Sequence, residues 1–522
     1  MSRAPASFVV FVSIGVACLS TPAAPAQDVQ TNPEVIHEET HDLSLPLLDM
    51  VPAAPKAGPR RVLPVMRRPG RPDISTERDP AVQQTAGPLA ATTNFLNFDG
   101  VIDRDGVAPP DTNGAVGATQ FVETVNTSFQ VFNKATGASE YGPVEVNTLW
   151  SGFGGLCETG NQSDPVVLYD KSAGRWVITQ AAFDSSFTSF AQCFAVSASS
   201  DATLSYNRYA MSFGSNLPDY GKLGTWSDAY YMTWNMFFLG FFYTGARTCA
   251  LDRAAMLAGN PATAICFQRP ATDFSLLPAD LDGSTPPPAG SPEYELELAN
   301  SNSLNLYRFH VDFGTPGNST LTGPISIPVA SYTQACPSTG TCIPQPGTSQ
   351  QLDSLGDRLM HRLAYRNFGS RESLAATHSV RPGTGNASGV RWYEIRSPGT
   401  TPVVFQQGTA APAAFSIWMG SIAMDKNGDI ALGVSASSSS LFPSIGYTGR
   451  MPTDPLGSVE SGVAIVLGTG SQTGISRWGD YSSMSIDPTD DCTFWYANEY
   501  LSSTGSFNWK TRIASFKFNS CL

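Results

Sequence analysis

Short stretches of alternating apolar and polar residues recur along the chain from about residue 93 to the C-terminus. In each stretch the alternation stops at a turn and then resumes, which is the pattern of a β-hairpin that is buried on part of its surface. Seven such hairpins have their turns near Gly117, Asp170, Asp228, Asn300, Phe368, Asp425 and Asp487.

A sheet built from one such hairpin cannot bury its apolar side chains alone, whereas sheets stacked around an axis bury one another. The turns lie about 50 to 70 residues apart, which allows longer loops than the ~40–50 residues of common propeller repeats. We therefore predict an all-β fold, a single seven-bladed β-propeller, over residues 93–522. Thr93 to Phe98 would pair with the last strand, Trp509 to Phe518, and close the ring. We expect one helix, about Arg253 to Leu257, which Asp252 would cap.

The first 92 residues have a different composition. Residues 1–26 have a basic residue, an apolar run and small residues before Gln27, which indicates a signal peptide. The apolar run is shorter than the about 20 residues of a membrane span. We thus expect a secreted protein, extracellular or periplasmic, with no membrane span. Residues 27–92 are rich in proline and poor in aromatic residues, which favours a disordered linker or a propeptide. Its basic residues are Lys56, Arg60, Arg61, Arg67, Arg68 and Arg71.

Eight cysteines lie outside the predicted signal peptide, and an even number in an exported chain indicates disulfide bonds. Since each blade of a propeller contacts only its neighbours, we expect cysteines that are close in sequence to pair. The expected pairs are Cys157–Cys193, Cys249–Cys266, Cys336–Cys342 and Cys492–Cys521.

The charge of the chain limits its partners. The formal net charge is −13, so the basic surface typical of nucleic-acid-binding proteins is missing. We expect a monomer. No Cys/His cluster has zinc spacing, but three groups of Asp and Asn offer oxygen ligands for calcium. The same residue types also cap tight turns, and the sequence leaves both roles open. The groups are residues 103–113, 425–429 and 487–491.

Two segments resemble known families. MDKNGDIALG, from Met424, resembles the aspartate-box hairpins of sialidase-like propellers, although the usual Trp is missing. RWGDYSSMSIDPTDDCTFWYANEY, from Arg477, resembles exported bacterial β-propeller proteins of uncharacterised activity. The resemblance implies the fold and supplies no catalytic residues. Sialidases use an arginine triad with a Tyr/Glu pair, but no spacing here demands those roles. The residues of those types are Arg362, Arg450, Arg477, Tyr481 and Glu499.

In a propeller, the residues that precede each innermost strand meet at one mouth of the central channel. Counting back from the turns places acidic, basic and aromatic side chains at these positions. Paired carboxylates can hydrolyse a glycoside, and an Arg, Tyr and His set can abstract a proton beside a uronic carboxylate. The candidate catalytic residues are Asp111, Asp164, Arg362, Arg477, Asp480 and Tyr481, and the candidate ligand-binding residues are Lys222, His361, Trp418 and Trp478.

These observations favour a secreted carbohydrate-active enzyme, a glycosidase or polysaccharide lyase that acts on an extracellular polysaccharide or glycan at the channel mouth. The alternative is a non-catalytic protein that binds glycans or proteins, or mediates adhesion, with the same face. A ring of structural salt bridges would also place charged residues there.

Overall fold

The structure is a computed structural model that describes residues 32–55, 59–68, 77–383 and 387–522. The predicted signal peptide, Lys56 and Arg71 lie outside these residues. The fold is all-β, with 50% of the residues in strands and 5% in helices. Within the described ranges, no helix is both long and apolar enough to cross a membrane.

Seven successive groups of four antiparallel strands, here called units 1 to 7, account for most of the described chain. Unit 1 consists of Asn113–Val116, Gln120–Val125, Ser128–Asn133 and Ser139–Glu145. Unit 2 consists of Ser163–Asp170, Arg175–Phe183, Phe190–Ser197 and Tyr206–Gly214. Unit 3 consists of Asn216–Thr225, Tyr230–Phe238, Phe242–Leu251 and Thr263–Gln268.

Units 4 to 7 follow the same order, except that the fourth strand of unit 7 comes from the N-terminal part of the chain. They consist of Leu277–Asp282, Glu293–Asn300, Ser303–His310 and Thr320–Pro328; of Leu363–Asn367, Glu372–Val380, Gly389–Arg396 and Val403–Ala410; of Ser416–Met424, Ile430–Ser437, Ser444–Arg450 and Val463–Val466; and of Ser483–Ile486, Phe494–Leu501, Trp509–Phe518 and Thr92–Ile102.

The units are not all separate sheets. The first strand of unit 4 pairs in parallel with the first strand of unit 5, so these two units form one eight-stranded sheet. Two short two-stranded sheets complete the set within the described residues. One joins Arg61–Val62 to Val107–Ala108, and the other joins Thr341–Ile343 to Leu352–Asp353.

Part of the segment that we expected to be disordered is ordered. Glu34–His37 pairs with the fourth strand of unit 3, and Thr40–Leu43 pairs with the fourth strand of unit 2. Leu47, which follows them, is fully buried. Composition misled the prediction because these residues need no core of their own. They satisfy their backbone hydrogen bonds on the open edges of sheets that the rest of the chain provides.

The predicted helix is present as Arg253–Ala258, and the Asp252 carboxylate accepts a hydrogen bond from the Ala255 N–H at 3.0 Å. A second short helix, Gly155–Thr159, was not expected. Its glycine-rich approach is typical of a loop, but the Glu158 carboxylate accepts the N–H groups of Gly152 and Gly154. Turns of 3-10 helix occur at Leu47–Asp49, Val146–Trp150 and Pro316–Asn318.

Six of the seven predicted turns lie where the first strand of a unit meets the second. The exception is the turn near Asn300, which joins the second and third strands of unit 4. The first two strands of that unit are joined instead by residues 283–292, a long loop that carries three consecutive prolines. This loop lacks the tight-turn pattern, so the sequence analysis placed unit 4 one strand too late and missed its first strand.

The core lies between successive units because each sheet is apolar on both faces. One buried cluster joins units 2 and 3, another joins units 5 and 6, and another joins units 6 and 7. Units 1 and 7 also meet, and the ring of Phe121 stacks on Trp495 with 5.4 Å between their centroids. Each of these contacts buries the faces of two sheets, which accounts for the nearly continuous apolar strands.

The structure contains four disulfides, in the pairing that the sequence predicted: Cys157–Cys193, Cys249–Cys266, Cys336–Cys342 and Cys492–Cys521. Four disulfides fit an extracellular protein. Cys492–Cys521 ties the start of the second strand of unit 7 to the residues that follow its third strand.

Replacing both cysteines of Cys492–Cys521 by alanine should lower the free energy of unfolding more than the same change at Cys336–Cys342. The bridges close loops with sequence separations of 29 and 6 residues. The loss of loop-closure entropy then corresponds to about 3.5 and about 2 kcal/mol. Urea unfolding of both double variants beside the parent measures this, and a larger loss for Cys336–Cys342 would contradict it.

Candidate functional site

A residue with left-handed backbone lies within or just before the first strand of several units. Asp111, Asp164, Tyr220 and Met419 have positive φ angles of 50°, 53°, 56° and 50°. Units 2, 3 and 6 have a shift of register at this point, which is the mark of a β-bulge. A bulge changes the direction of the side chains beside it, and bulges are common next to functional sites. Left-handed backbone at Tyr and Met persists only where the surrounding structure imposes it.

Arg477, just before unit 7, pairs with two acidic residues, one of which is hydrogen-bonded to a third. Its guanidinium forms ion pairs with Asp480 and, at 3.0 Å, with Asp353. The Asp480 N–H donates a hydrogen bond of 2.6 Å to Asp111, whose other oxygen accepts from Asn126 at 2.7 Å. Burial raises the pKa of Asp111 well above its ordinary value and that of Asp353 to about 6, although Arg477 opposes both shifts.

Lys222 lies between two tyrosine rings. Its Nζ is 3.5 Å from the ring centroid of Tyr220 and 3.9 Å from that of Tyr481, within the range of cation–π attraction. The Tyr481 hydroxyl donates to Asp164 at 3.2 Å. Burial lowers the pKa of Lys222 to about 8, while the charge of Asp164 acts in the opposite direction. Burial also raises the pKa values of Tyr481 and Asp164.

Three further groups lie against these side chains. The His361 ring is 6.0 Å from that of Tyr481, and burial keeps the His361 pKa well below its ordinary value. Burial raises the pKa of Asp219 to about 8, helped by the nearby charge of Asp164. Burial and the charge of Asp111 raise the pKa of Glu499 well above its ordinary value. We call the whole group the charged cluster: Asp111, Asp164, Asp219, Tyr220, Lys222, Asp353, His361, Arg477, Asp480, Tyr481 and Glu499.

Seven of the ten predicted site residues lie in the charged cluster. Arg362 does not. Its guanidinium donates to Asp280 at 2.8 Å and to Asp282 at 2.7 Å, both on the first strand of unit 4. The sequence analysis missed these partners because it misplaced that strand.

Trp418 and Trp478 are fully buried, so a sugar cannot stack on either ring in this structure. Their centroids are 5.7 Å apart, and the Trp478 indole N–H donates to Ser435 at 3.0 Å. They form part of the apolar floor beneath the charged cluster. The expectation that they bind a ligand directly is therefore not met in this conformation.

The structure adds residues that the sequence analysis did not identify. Asp219 and Tyr220 precede Lys222 in the first strand of unit 3. A bulge between Asp219 and Lys222 shifts the register of the strand, so counting back from the turn did not reach these two residues. Asp353, Asp357 and Arg358 lie in the connection between units 4 and 5, outside any repeat. Their only signal is a group of charged residues within an apolar stretch.

The predicted calcium groups cap turns with their carboxylates. Asp103 accepts the N–H of Gly106, Asp425 accepts that of Asn427, and Asp490 accepts that of Thr493. Asp425 also lies near the sulfurs of Cys492 and Cys521, but these sulfurs are joined in a disulfide.

No protein-family model and no curated protein matches the chain. It is similar to solved structures at low levels. An exo-β-1,3-galactanase from Phanerochaete chrysosporium has 10% identity and a TM-score of 0.30 over 82% of this chain and 97% of that one. A PL25 ulvan lyase has 11% identity and a TM-score of 0.34 over 81% and 96%. The WD40 domain of SCAP from fission yeast has 10% identity and a TM-score of 0.29 over 78% and 82%. Similarity at this level carries no argument about this chain.

Asp480→Asn should destabilise the fold much more than Asp164→Asn. Asp480 is the buried ion-pair partner of Arg477, and breaking such a pair costs about 3–5 kcal/mol. Asp164 is half-buried and has no ion pair within 4 Å among the described residues, and an amide oxygen in its place can still accept from Tyr481. Urea unfolding at neutral pH measures both changes, and equal losses would contradict the distinction.

Glu499→Gln should flatten the dependence of stability on pH. The folded pKa of Glu499 is raised, so the native state holds a proton that the unfolded state releases above about 4.5. The contribution of this carboxyl to the free energy of unfolding is therefore complete below that pH, and it is lost as the pH rises through the folded pKa. Unfolding free energies from pH 4 to pH 9 should fall less steeply for Glu499→Gln than for the parent or for Glu39→Gln, an exposed control. Parallel curves for all three would contradict this assignment.

Proposed function

We propose that the seven units are the blades of a single closed β-propeller. The first strands of successive units contact one another from unit 1 through unit 7, and the first strand of unit 7 contacts that of unit 1. Thr92–Ile102 pairs with Trp509–Phe518, which joins distant parts of the chain in one blade. In such a ring we expect the charged cluster at one mouth of the central channel, since most of its members lie within or shortly before first strands.

We further propose that the protein is a secreted polysaccharide lyase that acts on a uronate-containing polysaccharide at this mouth. The observation that carries the proposal is Lys222, held between Tyr220 and Tyr481 beside Asp164. A lysine whose pKa is about 8 is neutral in part of the population near neutral pH and can accept a proton. The four disulfides support secretion.

The reaction is a β-elimination, and each group has one role in it. Lys222 takes the proton from the sugar carbon beside the carboxylate, and the electron pair left behind forms a carbon–carbon double bond. The bond from the neighbouring carbon to the glycosidic oxygen breaks, and that oxygen takes the hydroxyl proton of Tyr481. Asp164 accepts a hydrogen bond from the Tyr481 hydroxyl and holds it in position, and solvent returns the proton to Tyr481. The guanidinium of Arg477 is suited to the substrate carboxylate.

A glycosidase needs one protonated and one ionised carboxyl group at the site. Burial shifts the pKa values of Asp111, Asp164 and Asp219 in the same direction, so the shifts do not single out one acid and one base among them. This is why the lyase precedes the glycosidase in our proposal. Glycan binding without catalysis needs no base, so the experiment must distinguish a non-catalytic binding protein from a lyase.

Lys222→Met and Tyr481→Phe should each lower the rate of elimination by about a hundredfold or more, since each removes a proton-transfer group. The assay follows the unsaturated product over a panel of uronate-containing and neutral polysaccharides, and the rate should rise with pH through about 8. Lys426→Met, at an exposed lysine, is the matched control and should retain the parent rate.

The same panel tests the alternatives. New reducing ends without unsaturation would replace the lyase by a glycosidase. Retention of a polysaccharide on a binding column without turnover would favour the non-catalytic binding protein. Unchanged turnover in Lys222→Met would remove this residue from the reaction.

A further inference from the structure

Residues 59–68, here called the strap, run beside the charged cluster. The strap begins against unit 1, where Arg61–Val62 pairs in parallel with Val107–Ala108, the residues that lead into Asp111. The Leu63 N–H continues this pairing with a hydrogen bond of 2.8 Å to the Ala108 carbonyl. One end of the strap is thus fixed where the first unit begins.

The middle of the strap meets two arginines and an aspartate. The Leu63 carbonyl accepts a hydrogen bond of 2.9 Å from Arg477, and the Met66 carbonyl accepts one of 2.5 Å from Arg358. The Arg68 N–H donates to Asp357 at 3.0 Å. Val65 packs on the apolar group that contains the rings of Tyr220, Trp478 and Tyr481. The strap therefore lies directly on the charged cluster.

The strap ends at unit 4. The Arg68 guanidinium donates to the carbonyls of Leu298 and Ala299, at 2.7 and 3.3 Å, at the end of the second strand of that unit. Units 1 and 4 stand on opposite sides of the proposed ring of seven, so the strap crosses its mouth. Beneath it, Lys222 and Tyr481 are each 1% exposed, and a glycan cannot reach them in this structure.

We infer that the strap is an inhibitory segment, and that the charged cluster accepts an anionic glycan only after the strap has moved away or been removed. This inference rests on the proposed function for its ligand. The carbonyl oxygens of Leu63 and Met66 occupy positions that carboxylate oxygens would fill, because Arg477 and Arg358 donate to either group. The strap thus satisfies in advance the donors that a uronate would use.

The kind of contact that holds the strap suits displacement. Backbone hydrogen bonds join the strap to Arg477 of the charged cluster and to Arg358 and Asp357, and Val62 is 44% exposed. A competing anion offers the same acceptors, whereas a segment held by a large apolar core would have no such competitor. Val65 and Met66 pack against apolar clusters, but no residue of the strap is fully buried, and such regions open with low free energies.

Val65→Asp tests the inference, because a carboxylate cannot remain among the apolar side chains that Val65 contacts. Val62→Asp puts the same charge at an exposed position of the strap and is the matched control. The first measurement is the rate at which an amine-specific reagent modifies Lys222, followed by mass spectrometry. We expect Val65→Asp to raise this rate by about tenfold or more, as a loss of about 1.4 kcal/mol in closing would, and Val62→Asp to leave it at the parent value.

A synthetic peptide with the sequence of residues 59–68, added to Val65→Asp, should restore protection. Equal protection of Lys222 in Val65→Asp and Val62→Asp would overturn the inference. Should Val65→Asp not fold, the triple alanine variant of Leu63, Val65 and Met66 is measured in the same way, with its melting temperature beside it.

The second measurement, binding and turnover of the polysaccharide panel, separates this inference from the proposed function. Exposure of Lys222 together with a rise in turnover supports both. If Lys222 becomes exposed while no polysaccharide binds, the strap remains a cover and the proposed function fails. If Lys222 stays protected while turnover is already present in the parent, the strap is not inhibitory.

Discussion

The guanidinium of Arg362 lies in the dry junction between units 4 and 5, where Asp280 and Asp282 hold it. An unpaired charge at such a place would cost several kcal/mol, so the two first strands must bring the acid and the base together. Asp280 and Asp282 lie on the unit 4 strand that pairs in parallel with unit 5, and Arg362 immediately precedes the unit 5 strand. The contact between units 4 and 5, and with it the position of everything that follows unit 5, depends on this pairing.

Buried charges also need partners in the charged cluster, but there only some of them are paired. Arg477 is paired with Asp353 and Asp480, whereas Glu499 has no ion pair within the described part of the chain. Acids without a partner respond by holding their protons, and the buried lysine responds in the opposite sense. Raised pKa values of buried acids around a lysine of lowered pKa are thus a consequence of supplying fewer cations than carboxylates in a dry place.

The sequence was informative where one rule applied repeatedly. Asp111, Asp164 and Tyr481 were identified as site residues because turns recur at the same point of successive units. The rule failed at unit 4, where a proline-rich loop replaced the tight turn and Asp280 was missed. It was silent on Arg358, which lies in a connection outside the repeats. The order of the N-terminal segment could not be predicted from composition, since its strands take their partners from sheets formed by residues far along the chain.

Unit 7 joins the strand Thr92–Ile102 to strands at the C-terminal end of the chain. Leu96 and Ser515, which hydrogen-bond across its outer pair of strands, are separated by 419 residues. While the chain is being synthesised, the strand Thr92–Ile102 emerges early and has no partner until almost the whole sequence has followed. Contacts of such long range slow folding, because the entropy of closing the loop is lost before the pairing can offset it. Until then, Thr92–Ile102 is an unpaired strand that can pair with other chains. Chaperones, rather than the folded protein, must prevent such pairing.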